Sequence, residues 1–587
     1  MPWLRGWRRT PFALPRRILG EEERDGEDYG AEGHAEGPGA SLEPARYHGI
    51  QTPATTVRRR ATLAPPPPPP DPMSASRFAL GLFAVFSLVR AALAPTFDLM
   101  PQSAYYFTYA EHPALSYYDH PPLLGWLLLA GSLLLGKSTL AVRATVFATT
   151  LLTQLAFYAL ARRLLAPEAA ARALALLTTG GVALLLSWIA VPDVPLLLFW
   201  TLALLALARA LGGVAGDGPG PGDDRARARW WLAAGAAMGL AFLSKYTALF
   251  LQGGLLLYLV VSRQDRRWLR TPWPWASLAA AHLVALPVYL WNARHGFASF
   301  RYQALGRAAE SRLDPEDLLG FLASQALVVL PVAFGGFLWA AGARTAESLR
   351  GRLPPRRDLF LLAFSVPLFA TCLALSPFAW VKVNWPMPAY LTGLLLAAGA
   401  LGRRAVRWQA VSGVALLAAT AVQLLWYPVP IRSHDTWYGW RALAGEVEEL
   451  AARHPEAFLF SVDNYKTTAE LRFYTDLTVY GMNVVGWNAL QYAYIGEDLD
   501  ALAGRSALLI KGEPKLEPSG ETERYLERTR RYFSSVEELE PIRIRRRGAV
   551  VRIFRVFLCR DYAGPRPAGR PEDYPSSQGE RTGSPRS

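Results

Sequence analysis

The feature that most limits what this chain can fold into is a succession of apolar runs, most close to the length of a bilayer crossing, with short arginine clusters between them. The runs fall at 76–94, 140–160, 171–190, 194–211, 230–243, 248–261, 275–291, 318–343, 359–376, 385–401 and 406–426. Most approach the roughly 20 residues that cross a bilayer as helix. Helices are the form to expect, because lipid offers no partner to open backbone groups. A further run, Leu123–Leu135, is too short to cross comfortably and reads as interfacial or re-entrant.

The arginines orient the runs. With the N-terminus inside and Leu123–Leu135 not crossing, the clusters at 162–172, 209–229, 263–270, 344–357 and 403–407 all fall on the cytoplasmic side. Counting Leu123–Leu135 as a span would turn the later clusters outward. The reading is therefore mainly α: a multi-pass helical bundle of about 11 crossings with the N-terminus in the cytoplasm. The net charge of +14 is held in these clusters, and no RNA or DNA motif accompanies it, so the basic balance reports membrane orientation and not nucleic acid. Cys372 and Cys559 are too few for a disulfide framework and lie in unlike surroundings.

The ends differ in kind. Residues 1–75 read as a disordered cytoplasmic tail rich in Pro and Arg, closing on a polyproline spacer at 65–70, with no cleavable signal. Residues 76–427 form the bundle, with a first outer loop at 95–139. After Trp426 charged residues return and strand-like runs (457–462, 478–480, 506–511, 542–559) alternate with helical ones (Lys466–Tyr474, 521–532). This predicts a small extracytoplasmic α/β domain over 428–562, followed by a disordered tail at 563–587.

Threaded this way, the bundle gathers polar groups on one side. The first outer loop holds Gln102, Tyr105, Tyr106, Glu111, Asp119 and His120, with Asp98 just ahead of it. The same side receives Asp193 between two prolines, Lys245 between two short runs, and the segment from Asn292 to Asp317. Ionisable groups at a membrane boundary are costly to keep there, so they read as a site. Each residue also has a plainer role: Asp193 as a helix cap, Lys245 as a snorkelling break, His120 as a turn residue, Asn292 as a C-cap, the tyrosines as an interfacial belt, and Asp463, Asn464, Gln491 and Tyr492 as loop and capping residues. No Walker loop, dinucleotide turn or Cys/His metal spacing is present.

The order Gln102-Ser103-Ala104-Tyr105-Tyr106, His112-Pro113 through Tyr117-Tyr118-Asp119-His120-Pro121-Pro122, Val142-Arg143, Pro192-Asp193-Val194-Pro195 and Leu243-Ser244-Lys245-Tyr246 resembles the bacterial GT-C membrane glycosyltransferases of the protein O-mannosyltransferase and aminoarabinose-transferase superfamily, family 39 and its relatives. Asn292 through Phe297 and Val462-Asp463-Asn464-Tyr465 extend it. The resemblance implies a transferase of the bacterial inner membrane that takes a sugar from a polyprenyl-phosphate carrier. The acceptor would be a lipid, glycan or protein at the outer face, and no metal or other cofactor would be needed. It implies site acids at Asp119 and Asp193. On physical grounds Lys245, Arg143 and His120 are candidates to neutralise the donor phosphate, with Arg294 as a further one. Gln102, Tyr105, Tyr106, Asn292 and His295 are candidate substrate contacts. Relatives carry an acid where this chain has Ser103, which keeps open a relocated base at Asp98, Glu111 or Asp119, or a weakened carrier-binding paralogue. A transporter or flippase of lipid-linked sugars is the other alternative, although no internal repeat is visible.

Overall fold

The computed structural model describes residues 72–565, apart from residue 213 and residues 215–223, 305–313 and 518–519. The expectations for 1–75 and 563–587 thus lie almost wholly outside the described residues. The helices run in order α1 (Pro72–Leu93), α2 (Pro101–Glu111), α3 (Leu123–Leu135), α4 (Thr139–Leu164), α5 (Pro167–Thr179), α6 (Gly181–Leu186), α7 (Asp193–Ala210), α8 (Asp224–Ser244), α9 (Leu249–Val261), α10 (Trp273–Val284), α11 (Leu286–Arg294), α12 (Ala298–Ala304), α13 (Pro315–Val329), α14 (Pro331–Leu349), α15 (Arg356–Leu375), α16 (Met387–Ala400) and α17 (Arg403–Trp426).

Among the described residues five helices, α1, α4, α7, α15 and α17, are long and apolar enough to cross a membrane, and up to seven spans result if each of two bent pairs counts as one. One pair, α10 with α11, bends by 49°. The other departs from the single run expected over 318–343: α13 and α14 meet at 112°. The corner is Leu330, left-handed at φ 70°, directly before Pro331. Proline denies its predecessor the helical region, so the chain turns there. Gln409 on α17 repairs the break, accepting from the Ala333 N–H at 3.1 Å and donating to the Val329 carbonyl at 3.1 Å. Broken backbone at such depth persists only where a neighbour supplies those partners. Helix α3, at 13 residues, is about 20 Å long and falls short of the roughly 30 Å apolar core.

The bundle has two poles. At one, the start of α15 meets the chain just beyond the ends of α7 and α9, and the start of α17 meets the start of α5. There Arg356 pairs with Asp265 at 2.5 Å and donates to the Leu211 carbonyl, and Arg403 pairs with Glu168 at 2.8 Å. At the other lie the starts of α4 and α7, the loop after α15, and the segment 94–122. Helices α8 and α10 pack backbone to backbone through Gly235 and Gly239. A Cβ on Gly239 would stand 2.6 Å from the Ala281 carbonyl oxygen, and one on Gly235 would strike the Ser277 carbonyl.

Beyond α17 come α18 (Trp440–Arg453), β1 (Phe458–Phe460), α19 (Lys466–Tyr474), β2 (Val479–Tyr480), β3 (Ala507–Glu513), α20 (Gly520–Thr529), β4 (Phe533–Arg546) and β5 (Ala549–Tyr562). They form one sheet in the order β2-β1-β3-β5-β4, parallel across the first three and antiparallel across the last three. Strand β1 is buried on both faces: Phe458 and Phe460 join the core continuous with the bundle, and Leu459 joins a second core with Trp440, Leu443 and Val447 of α18. The run expected over 542–559 is a hairpin of two 14-residue strands, turning at Arg547 and Gly548, both at positive φ.

This α/β part docks on the segment before α2. Asp98 Oδ2 accepts from the backbone N–H groups of Trp440 and Arg441 at 3.0 and 3.2 Å, so an acid distant in sequence caps the start of α18. The Leu99 N–H donates to the Tyr474 hydroxyl at 2.8 Å.

Candidate functional site

Helix α2 opens with Pro101, whose fixed φ suits a first helical turn. Tyr105 and Tyr109 lie four residues apart and therefore share a face. Both hydroxyls donate to the same carboxylate oxygen, Oδ1 of Asp119, at 2.8 and 2.5 Å. Among the described residues no side chain donates to Oδ2. Gln303 on α12 donates to the Asp119 backbone carbonyl at 2.6 Å, which pins the loop from a third element. Burial pushes the Asp119 carboxyl above the ordinary carboxylate range; the two phenol hydrogen bonds and the charge of Lys382 pull the other way. Tyr106, beside Tyr105, is buried, and its phenol is raised well above 10 by burial, then by Asp119, Tyr465 and Asp193. One phenol thus feels both acids predicted from the sequence.

Asp193 is the first residue of α7 and has no exposed surface. Among the described residues its carboxylate bonds to other elements and not to its own helix. Its two oxygens meet Lys245 Nζ at 2.8 and 3.0 Å, and Oδ2 also accepts from Asn384 at 2.6 Å. Lys245 lies in extended backbone between α8 and α9, where the helix has stopped and the side chain can turn inward. Both are buried, so each ion is the other's main compensation for lost water.

The remaining sequence-predicted residues divide. His120 packs its ring edge-on to Tyr106 at 5.7 Å. Tyr105 also accepts from the Gln491 N–H at 3.1 Å, and the Gln491 side chain accepts from the Tyr118 N–H at 2.9 Å. Gln102 donates to Asp435 at 2.6 Å, and Asp435 pairs with Lys466 at 3.1 Å. Arg143 stands apart. Its guanidinium donates to the carbonyls of Ala94, Phe97 (2.7 Å) and Asp98 (2.9 Å) and lies 4.0 Å from the Phe97 ring centre. It holds the chain between α1 and α2, where helix ends leave carbonyls without partners. Asn292 is fully buried and shapes the turn after α11, donating to the Val288 carbonyl at 3.0 Å and accepting from the Phe300 N–H at 3.2 Å. His295 is exposed, stacked on Trp291 at 4.1 Å. Asp463 takes the capping role, accepting from the Thr467 N–H at 3.1 Å.

Ser103 is buried and accepts from the Ala190 N–H at 3.0 Å, so it stitches α2 to the loop leading to Asp193. Sequence reasoning missed Asn384 and Gln303. Neither sits in a pattern that announces its partner, which lies 191 residues away for Asn384 and 184 for Gln303.

The match of this architecture to solved structures decides the fold. It superposes on ArnT from Cupriavidus metallidurans in the apo state with a TM-score of 0.55, covering 82% of this chain and 98% of that one at 16% identity. The same enzyme bound to undecaprenyl phosphate gives 0.55 at 18% identity over the same shares. The chain has the ArnT-like GT-C fold. Residues 119–291 also match the family model of dolichyl-phosphate-mannose-protein mannosyltransferases, a stretch that includes Asp119, Asp193 and Lys245. The lipid A galacturonosyltransferase RgtD of Rhizobium johnstonii is 28% identical over 329 residues, 56% of this chain and 65% of that protein's length. The resemblance read from the sequence, to family 39-like GT-C membrane glycosyltransferases, is borne out, and with it a multi-pass membrane protein.

Proposed function

We propose that this GT-C chain transfers a sugar from a polyprenyl-phosphate donor to a hydroxyl of a lipid acceptor at the extracytoplasmic face of a bacterial inner membrane. The observation that carries the reading is Asp119: one carboxylate oxygen is fixed by two phenols, the other has no side-chain donor among the described residues, and the neighbouring Tyr106 phenol feels both Asp119 and the buried Asp193–Lys245–Asn384 unit. A base needs a lone pair aimed at the proton it takes, in a held geometry. Asp119 Oδ2 offers that. As the acceptor oxygen bonds to the anomeric carbon, its proton passes to Oδ2. The bond from that carbon to the carrier phosphate breaks, its electron pair stays on the phosphate oxygen, and the centre inverts. Asp193, with both oxygens engaged, holds Lys245 in place for the departing charge, and His120 and Lys382 add donors beside Asp119. Arg143 leaves the phosphate set, since its guanidinium faces backbone carbonyls.

What supports the acceptor class is the relative's name, a lipid A transferase, and what supports the donor is the undecaprenyl phosphate bound by ArnT. What supports the orientation, with the N-terminus inside and about 11 crossings, is the collection of arginines at the pole opposite Asp119. The bundle at 76–427 and the α/β part at 428–562 are proposed as the two folding domains. The test is transfer from a labelled undecaprenyl-phosphate sugar to lipid A by the purified chain. Asp119→Asn should lower kcat about 100-fold or more with donor binding kept; unchanged turnover would remove Asp119 as base.

A further inference from the structure

The β4–β5 hairpin sorts its charges along its length. Far from the turn, Glu538 pairs with Arg555 at 2.6 Å and Glu537 with Arg560 at 3.7 Å. Toward the turn the residues become Arg543, Arg545, Arg546 and Arg547, and beyond Glu540, which approaches Arg543 at 3.7 Å, no acid follows on β4. Among the described residues no carboxylate pairs with Arg545, Arg546 or Arg547. Glu537 and Glu538 stand roughly 30 Å up the strand from the turn, and Glu540, the partner of Arg543, roughly 16 Å from Arg545, past the ~8–10 Å over which salt lets charges feel one another.

The turn has a definite address. Arg546 donates to the carbonyl of Leu425 at 2.8 Å, in the last turn of the spanning helix α17, and its guanidinium lies over Tyr438 at 4.7 Å and Tyr427 at 5.6 Å. Beside that contact Trp426 and Val429 are 50% and 65% exposed, an apolar collar such as a helix shows where it leaves lipid. The hairpin tip is therefore fastened at the level of the bilayer surface, with Arg543, Arg545 and Arg547 exposed around it.

We infer that this arginine tip binds the phosphate headgroups of anionic phospholipids in the leaflet on the Asp119 side. Their positive charge attracts the phosphates of an anionic surface, and the anchor on α17 places them at headgroup depth before any lipid arrives. The interaction would hold the α/β part down against the membrane beside the site.

The test uses the full chain in nanodiscs and measures by native mass spectrometry which lipids stay bound from an equimolar mixture of phosphatidylglycerol and phosphatidylcholine. Each cation near an anionic surface favours it by about fivefold. The native chain should retain phosphatidylglycerol preferentially, and the Arg543→Gln, Arg545→Gln, Arg547→Gln variant should lose at least about tenfold of that preference. Arg546 is left in place so that the tip stays fastened. The matching Lys variant, which keeps the charge, should keep the preference and raised salt should erase it. Equal retention by the native and Gln chains, loss of preference in the Lys variant, or displacement of the lipid by millimolar inorganic phosphate would overturn the proposal. None of these readouts depends on sugar transfer.

Discussion

Tyr105 and Tyr109 both donate to one oxygen of Asp119, and this sets the direction of its titration. Hydrogen bonds to the charged form lower a carboxyl's pKa, here against a burial effect that raises it. Removing either phenol as Tyr105→Phe or Tyr109→Phe should therefore move the acid limb of the kcat/KM profile to higher pH, with the alkaline limb unmoved. A limb that stays put, or moves down, would show that another group titrates. At Ser103 the structure also fixes a sign. The hydroxyl is buried and bonded to the Ala190 N–H, so Ser103→Glu would force a carboxylate into a closed contact. Transfer activity should fall, not rise. Asp119, Asp193 and Lys245 were legible because ionisable residues interrupting apolar sequence are few and costly. Asn384 was not, because an amide among Val383, Trp385 and Pro386 looks like any span boundary, and only folding brings it to Asp193. Arg143 read as a phosphate contact because sequence shows a cation near an acidic loop but not the stranded carbonyls of 94–98 that occupy it.

At the scale of elements, breaks in helices do the positioning. Lys245 owes its inward reach to the stop between α8 and α9, and its ammonium is compensated by Asp193. Lys245→Ala strands a buried carboxylate and should cost about 3–5 kcal/mol. The double variant Asp193→Asn with Lys245→Met should recover most of that loss in thermal unfolding while remaining inactive. If the double variant is no more stable than the single one, the pair is not a unit. The multi-pass helical character was readable from hydropathy, while among the described residues five to seven helices, against the 11 runs read, are long and apolar enough to cross a membrane. The corner at Leu330 was masked by an unbroken apolar run, although Pro331 carried the signal. Strand β4 was half hidden as well: its first residues, Ser534 to Glu540, are mostly polar because that edge strand faces water.

On the scale of the molecule, the joint between α/β part and bundle contains a buried acid. Glu470 of α19 is 1% exposed and, among the described residues, neither carboxylate oxygen has a hydrogen-bond partner. Burial, then Asp98, raises its pKa well above the usual value, while Arg552 and Arg143 pull it down. The folded state then holds a proton that the unfolded chain releases, so stability is greatest below the unfolded pKa of about 4.3 and falls as pH rises above it. Glu470→Gln should raise the unfolding temperature at pH 7–8 and leave it unchanged near pH 4; a variant no more stable at either pH would mean the carboxyl is accommodated as an anion. The glycines of α8 act over distance in the same assembly. Gly239 lies six residues before Lys245, roughly 9 Å along a helix whose register against α10 is set by the lack of side chains at two points. The depth of the Lys245 ammonium beside Asp193 is thus gauged by a seam several residues away, and a single methyl added there would shift that ammonium without touching it.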